Sequence, residues 1–242
     1  MAIHYRTQGF ILKKVDFGEF DRIFTIFTKE FGKLEILAKA IRKIGSKLRG
    51  GMELFYLSDI EFIQGKTQKT LTDAILIERF SNLRNDLRRL KIAIEISEIV
   101  DNLIRGEGGD EKIWRLLKEI FEKLNEAHLT TKECWLIYYY FLWNFFSILG
   151  FKPQLNFCSI CQKRLVPQNL YFNEKEGGII CQDCFKKIKN SKKISPDTIK
   201  ILRLFLEKDL KFLKKIKIGK NLQEEIKEVS KSYLSFTKES QA

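Results

Sequence analysis

The sequence predicts an α+β chain: an N-terminal OB-fold β-barrel followed by an α-helical domain that carries a four-cysteine zinc module. Three observations predict it. Strand-like alternation of apolar and polar residues runs through the first ~80 residues. A helical period takes over from about Phe80. Two Cys-x-x-Cys pairs then interrupt the helical part. The expected segments are 1–79 for the barrel, 80–150 for a helical bundle, 151–190 for the zinc module and 191–242 for terminal helices that pack back on the bundle.

The strands are expected at 9–15, 22–27, 33–38, 54–63 and 69–77, where Ile, Phe, Val, Leu and Thr alternate with polar positions. Turn signals separate them at Asp16-Phe17-Gly18, Phe31-Gly32, Gly50-Gly51 and Gln64-Gly65. Five short strands in so few residues suit a small closed barrel better than a sandwich, which needs about seven.

Helical spacing then links Leu83, Leu87, Leu90, Ile94, the run 96–100 and Leu103, until Gly106, Gly108 and Gly109 break it. Asp110 is placed to cap the next helix, which carries Ile113, Leu116, Leu117, Ile120, Phe121 and Leu124. A third helix begins at Thr130 or Thr131 and ends before Gly150 and Pro153. It contains CWLIYYYFLWNFFSIL, which falls short of the ~20 apolar residues of a membrane span and reads as a buried core helix. Ser195-Pro196-Asp197 starts the terminal helices, with proline in the first turn.

Cys158-Ser-Ile-Cys161 and Cys181-Gln-Asp-Cys184 form two knuckles. Such a spacing brings four thiolates around one Zn²⁺, and a closed set of four cysteines leaves no open position for water. One structural zinc per chain is therefore expected. Leu170-Tyr171-Phe172, Gly177-Gly178 and Ile179-Ile180 read as a hairpin between the knuckles. Lys163, Arg164, Lys186 and Lys187 lie close enough in sequence to offset the negative charge. Cys134 falls on the aromatic helix and reads as core.

Lys and Arg number 44 against 31 Asp and Glu, a net charge of +13. Such an excess suits a protein that meets a polyanion, although lysine-rich proteomes also produce inert basic surfaces. The N-terminal MAIHYRTQGFILKK lacks the apolar core of a signal peptide, so a cytoplasmic protein with reduced thiols is expected, with no membrane partner.

Gly9-Phe10-Ile11-Leu12 is followed by Glu19-Phe20-Asp21 and then by Ile26-Phe27-Thr28. Gly32 precedes a strand ending in Ala38-Lys39-Ala40-Ile41-Arg42-Lys43, with Ser46 beyond it. Leu149-Gly150-Phe151-Lys152-Pro153-Gln154-Leu155 runs into the first knuckle, and Gly177-Gly178 precedes the second. In this order the chain resembles the RecO family of bacterial recombination mediators, in its zinc-bearing members, over nearly its whole length. The family often has Ala-Lys-Gly-Ala-Arg where this chain has Ala38-Lys39-Ala40-Ile41-Arg42, so a flexible glycine is missing. Some relatives lack the cysteines, which implies a structural role for the zinc.

Lys39, Arg42, Lys43, Lys47 and Arg49 fall in a stretch without acids. In an OB barrel this is a strand end and the loop after it, beside the groove where single strands lie. With the matching motif, these five are the expected DNA contacts, and residues 1–79 the expected DNA-binding domain. Residues 186–220 hold 13 further Lys or Arg against Asp197, Glu207 and Asp209. They read equally as a second DNA path or as the wet face of helices. Phe10, Phe17, Phe20 and Tyr56 are candidates to stack on bases, but aromatic residues of a small barrel are more often core, and the sequence selects none of them. Gln64-Gly65-Lys66-Thr67 is similar to the end of a phosphate loop, yet Ile60 stands where the motif needs glycine. With only His4 and His128 and no acidic metal cluster, no catalytic residue is expected.

The resemblance implies a recombination mediator in DNA repair and not an enzyme. It would bind single- and double-stranded DNA, anneal complementary strands and recognise the C-terminal tail of single-stranded-DNA-binding protein. With RecR it would load recombinase. No small-molecule substrate is expected. The residues alone leave two alternatives open: a zinc-ribbon RNA-binding or transcription-associated module, and a protein-bridging scaffold.

Overall fold

The computed structural model describes residues 3–188 and 190–241. The chain divides into two compact units, 1–134 and 135–242.

The first unit opens with five strands: β1 (His4–Phe17), β2 (Asp21–Thr28), β3 (Gly32–Ala38), β4 (Leu57–Gln64) and β5 (Lys69–Glu78). They close into a barrel in the order β1-β2-β3-β5-β4, the expected OB-like architecture. β1 is long because it serves two partners. His4 through Phe10 pair with β4, and Gly9 through Phe17 pair with β2. A bulge between Ile11 and Lys13 bends the strand between these two tasks. Closure comes from a short parallel contact of β3 with β5, Ile36 opposite Lys69 and Leu37 opposite Thr70. The alternating residues Ile11, Phe24, Ile26, Leu34, Ile36, Ile60 and Phe62 fill the interior.

Two strand boundaries differ from the sequence expectation. β1 starts at His4, five residues early, because its partner β4 lies more than fifty residues away and leaves no local signal. β4 starts at Leu57 and not at Leu54, because Phe55 takes φ +63° and its N–H donates to the Ile11 carbonyl of β1. A short 3-10 helix, Lys47–Gly50, occupies part of the long β3–β4 connection.

Three helices complete this unit: α1 (Ser81–Asn85), α2 (Leu87–Leu103) and α3 (Glu111–Leu124). Asp86 caps α2 by accepting from the Arg88 N–H. Asp110 caps α3 as expected, accepting from Lys112 and Ile113. Phe10 points to the opposite side of β1 from Ile11 and is fully buried against Phe80, Trp114 and Phe121. Two apolar positions of the expected helical stripe are wet: Leu87, at the start of α2, and Ile94. Arg89 is buried instead. Its guanidinium donates to the carbonyls of Leu124, Glu126 and Ala127 and so satisfies the orphan C-terminal end of α3.

The helix α4 (Thr131–Ile148) carries the boundary between the units. The second unit contains its later turns, the sheet β7-β6-β8 (Gly178–Ile180, Leu170–Asn173, Lys192–Ile194), and the helices α5 (Gln182–Ile188), α6 (Pro196–Glu207), α7 (Leu210–Leu213) and α8 (Lys220–Ser240). The expected β6–β7 hairpin is present; β8, only three residues long, was not foreseen. Tyr233 of α8 stacks on Trp143 of α4 at 5.6 Å and donates to the Phe151 carbonyl. Trp143 donates in turn to Ser230. Among the described residues no helix is long and apolar enough to cross a membrane, α4 included.

Candidate metal centre and nucleic-acid interface

The four predicted cysteines come together in the second unit. Cys158 and Cys161 sit on the turn after residue 157, Cys181 at the end of β7 and Cys184 in the first turn of α5. Their sulfurs all lie within 4.8 Å of one another, and Cys161 Sγ is 3.8 Å from Cys181 Sγ. A tetrahedron with Zn–S bonds of about 2.3 Å has edges of about 3.8 Å, so the donor set fits a single small metal ion. Gly178 holds the knuckles in register: with φ +157° it lets the hairpin backbone close on Gln154, and a Cβ there would collide with Gln154. Tyr171 stacks on Phe185 at 3.7 Å and walls one side.

The cluster is electrostatically prepared for a cation. Burial pushes the Cys158 thiol up, but the backbone N–H groups of Cys161, Cys181 and Ile160 outweigh it and hold the thiol down at about 6. Burial and the three neighbouring sulfurs push Cys184 up to about 12. Cys158 thus ionises readily, while Cys184 resists ionising. A bound divalent cation would relieve that resistance. Among the described residues no other donor joins the four cysteines, and such a closed set is suited to holding structure. Cys134 is buried apart from them, its thiol raised by burial.

The predicted DNA-contact residues lie on the β3–β4 connection of the first unit. Lys39, Arg42, Lys43, Lys47 and Arg49 are all exposed. The connection is fastened to the β1–β2 hairpin: the Ala40 N–H donates to Asp21 Oδ1 at 2.7 Å, and the Arg42 N–H donates to the Phe20 carbonyl at 2.9 Å. Asp16, whose carboxyl is held below its ordinary value chiefly by Arg22, also pairs with Arg42 at 3.5 Å. Among the described residues no acid pairs with Lys39, Lys47 or Arg49, which leaves three cations facing solvent.

Two family models divide the chain. Residues 1–80 match recombination protein O, N terminal, and residues 84–240 match recombination protein O, C terminal. The chain belongs to the RecO family. Relatives named DNA repair protein RecO include one from Dehalococcoides mccartyi, 31% identical over 97% of this chain and 91% of the relative. Others, from Alkaliphilus metalliredigens and a Thermoanaerobacter species, are each 30% identical over 95% of this chain and 92% and 90% of their own length. The family places the chain in recombination and DNA repair.

The RecO resemblance also makes sense of Ala40. At the position where the resemblance implies a glycine, Ala40 has φ +52°, the left-handed region that glycine enters freely. Sequence reasoning missed the anchors of the loop, Asp16 and Asp21, because acids in a turn carry no signal of a distant backbone partner. The basic stretch of the second unit is largely exposed on α5 to α8. Among the described residues Arg203 and Lys214 are the exceptions, both half-buried, and Arg203 donates to the Leu155 carbonyl. Lys189 lies outside the described residues.

Proposed function

We propose that this RecO-family chain is a recombination mediator that binds single-stranded DNA along the loop 39–49, anneals complementary strands and performs no bond chemistry of its own. The observation that carries the reading is that loop: five exposed cations on a segment fastened to a hairpin by the Ala40 N–H donating to Asp21 and the Arg42 N–H donating to the Phe20 carbonyl. A cationic path of fixed shape neutralises phosphates without the full ordering entropy on binding, and screening two strands at once lowers their mutual repulsion. In this reading residues 1–79 serve single- and double-stranded DNA and residues 151–190 hold one structural Zn²⁺ through Cys158, Cys161, Cys181 and Cys184. The acidic tail of single-stranded-DNA-binding protein meets the helical domain, and with RecR as a partner recombinase is loaded on coated strands. Such a protein works in the cytoplasm at the nucleoid.

The test is the annealing of two complementary oligonucleotides, each coated with single-stranded-DNA-binding protein, with that protein's tail intact or removed. Annealing that depends on the tail is the expected result. No annealing in either case would sink the mediator reading and turn attention to RNA.

A further inference from the structure

Exposure separates four aromatic residues that sequence leaves equivalent. Phe10 is 0% and Tyr56 7% exposed: the first packs beneath the helices, the second lies under Arg84 and Arg79. Phe17 is 50% and Phe20 40% exposed, and both sit at the end of the β1–β2 hairpin. Phe20 lies in the turn itself, and Lys43 Nζ stands 5.1 Å from its ring centre. Ile44, beside Lys43 in sequence, is 95% exposed. An apolar tip thus borders the cationic loop, and the two are joined by the hydrogen bonds from Ala40 and Arg42.

We infer that Phe20 and Phe17 form a stacking platform for the unpaired bases of a single strand whose phosphates follow the loop 39–49. The inference rests on the proposed DNA path and adds what that path lacks, a means of telling unpaired bases from backbone. The hairpin turn is suited to this and ill suited to phosphate. Glu19 is exposed within it, and Asp16 and Asp21 are engaged by Arg22, Arg42 and the Ala40 N–H. Charge attraction therefore belongs to the loop and ring contact to the tip. In an OB barrel the β1–β2 turn is also one of the loops that border the oligonucleotide groove. A base on one face of Phe20, with the Lys43 ammonium near the ring, combines stacking with a cation–π contact, and every base offers such a face.

The experiment compares the affinity of the full chain for oligothymidylate with that for an abasic strand of equal length, across salt. The parent should prefer oligothymidylate. Phe20→Ala should weaken oligothymidylate binding about fivefold to tenfold and leave the abasic strand unchanged. Phe17→Ala with Phe20→Ala should abolish the preference, while Phe20→Trp should keep or widen it. Half-exposed rings tolerate truncation, and should the double variant melt early, Phe20→Trp against Phe20→Leu carries the comparison alone. An unchanged preference in the double variant, or equal losses on both strands, would overturn the platform. The loop path stands or falls separately, on whether Lys39→Ala with Arg42→Ala lowers the salt slope on the abasic strand.

Discussion

Ala40 takes φ +52° while its N–H is committed to Asp21, so the backbone cannot relax to a region kinder to a Cβ. Left-handed backbone costs a non-glycine residue roughly 1–2 kcal/mol, and glycine returns part of that as unfolded-state entropy. Ala40→Gly should therefore stabilise the chain by about 0.5–1 kcal/mol, read as a rise of a few degrees in Tm, with DNA affinity kept. Asp86 tests electrostatics at the same scale. The Arg88 side chain, hydrogen bonded to it, holds the carboxyl at about 2 against burial, below its ordinary 3.8. A carboxyl lowered by folding contributes stability above its ordinary value and loses it as pH falls through the folded value. Thermal stability should then decline between about pH 4 and pH 2, and Asp86→Asn, which keeps a capping oxygen, should shrink that decline. Phe10 and Phe20 show how far residue type carries: both are phenylalanines of the barrel's first hairpin, and only tertiary exposure tells core from tip.

At the scale of elements, alternation located all five barrel strands, because each has one face in the core, and the caps Asp110 and Ser195 began helices where expected. The cysteine cluster was legible because two Cys-x-x-Cys pairs at this spacing mark four sulfurs that can converge on one point. What sequence hid was whatever depends on a distant partner. The N-terminal half of β1 pairs with β4, the three residues of β8 join β6, and Arg89 is buried because the end of α3 needs a donor. The two cysteine knuckles should act as a staple for the second unit. The purified protein is expected to carry one zinc per chain by elemental analysis. Stripping it with a chelator, or Cys158→Ser, should lower the melting temperature by roughly 10 °C, the size of shift that loss of a few kcal/mol gives in a chain of this length. A metal-free protein that melts unchanged would remove zinc from the account.

The whole molecule carries +13, and a charge of that size alone produces some affinity for any polyanion, falling steeply with salt. A defined path is a stronger claim, with phosphates seated on the loop 39–49 of the barrel. Diffuse charge and a defined path differ in how the loss of two cations is felt. Removing two of 44 basic residues changes the overall field little, whereas removing two that each touch a phosphate changes the number of counterions released. The most direct measurement is the slope of log affinity for single-stranded DNA against log salt, for the parent and for Lys39→Ala with Arg42→Ala. A defined path predicts that the slope shrinks by roughly 1.4, about 0.7 for each lost phosphate contact on a single strand. An unchanged slope, with affinity also unchanged, would contradict it and take the loop out of the DNA path.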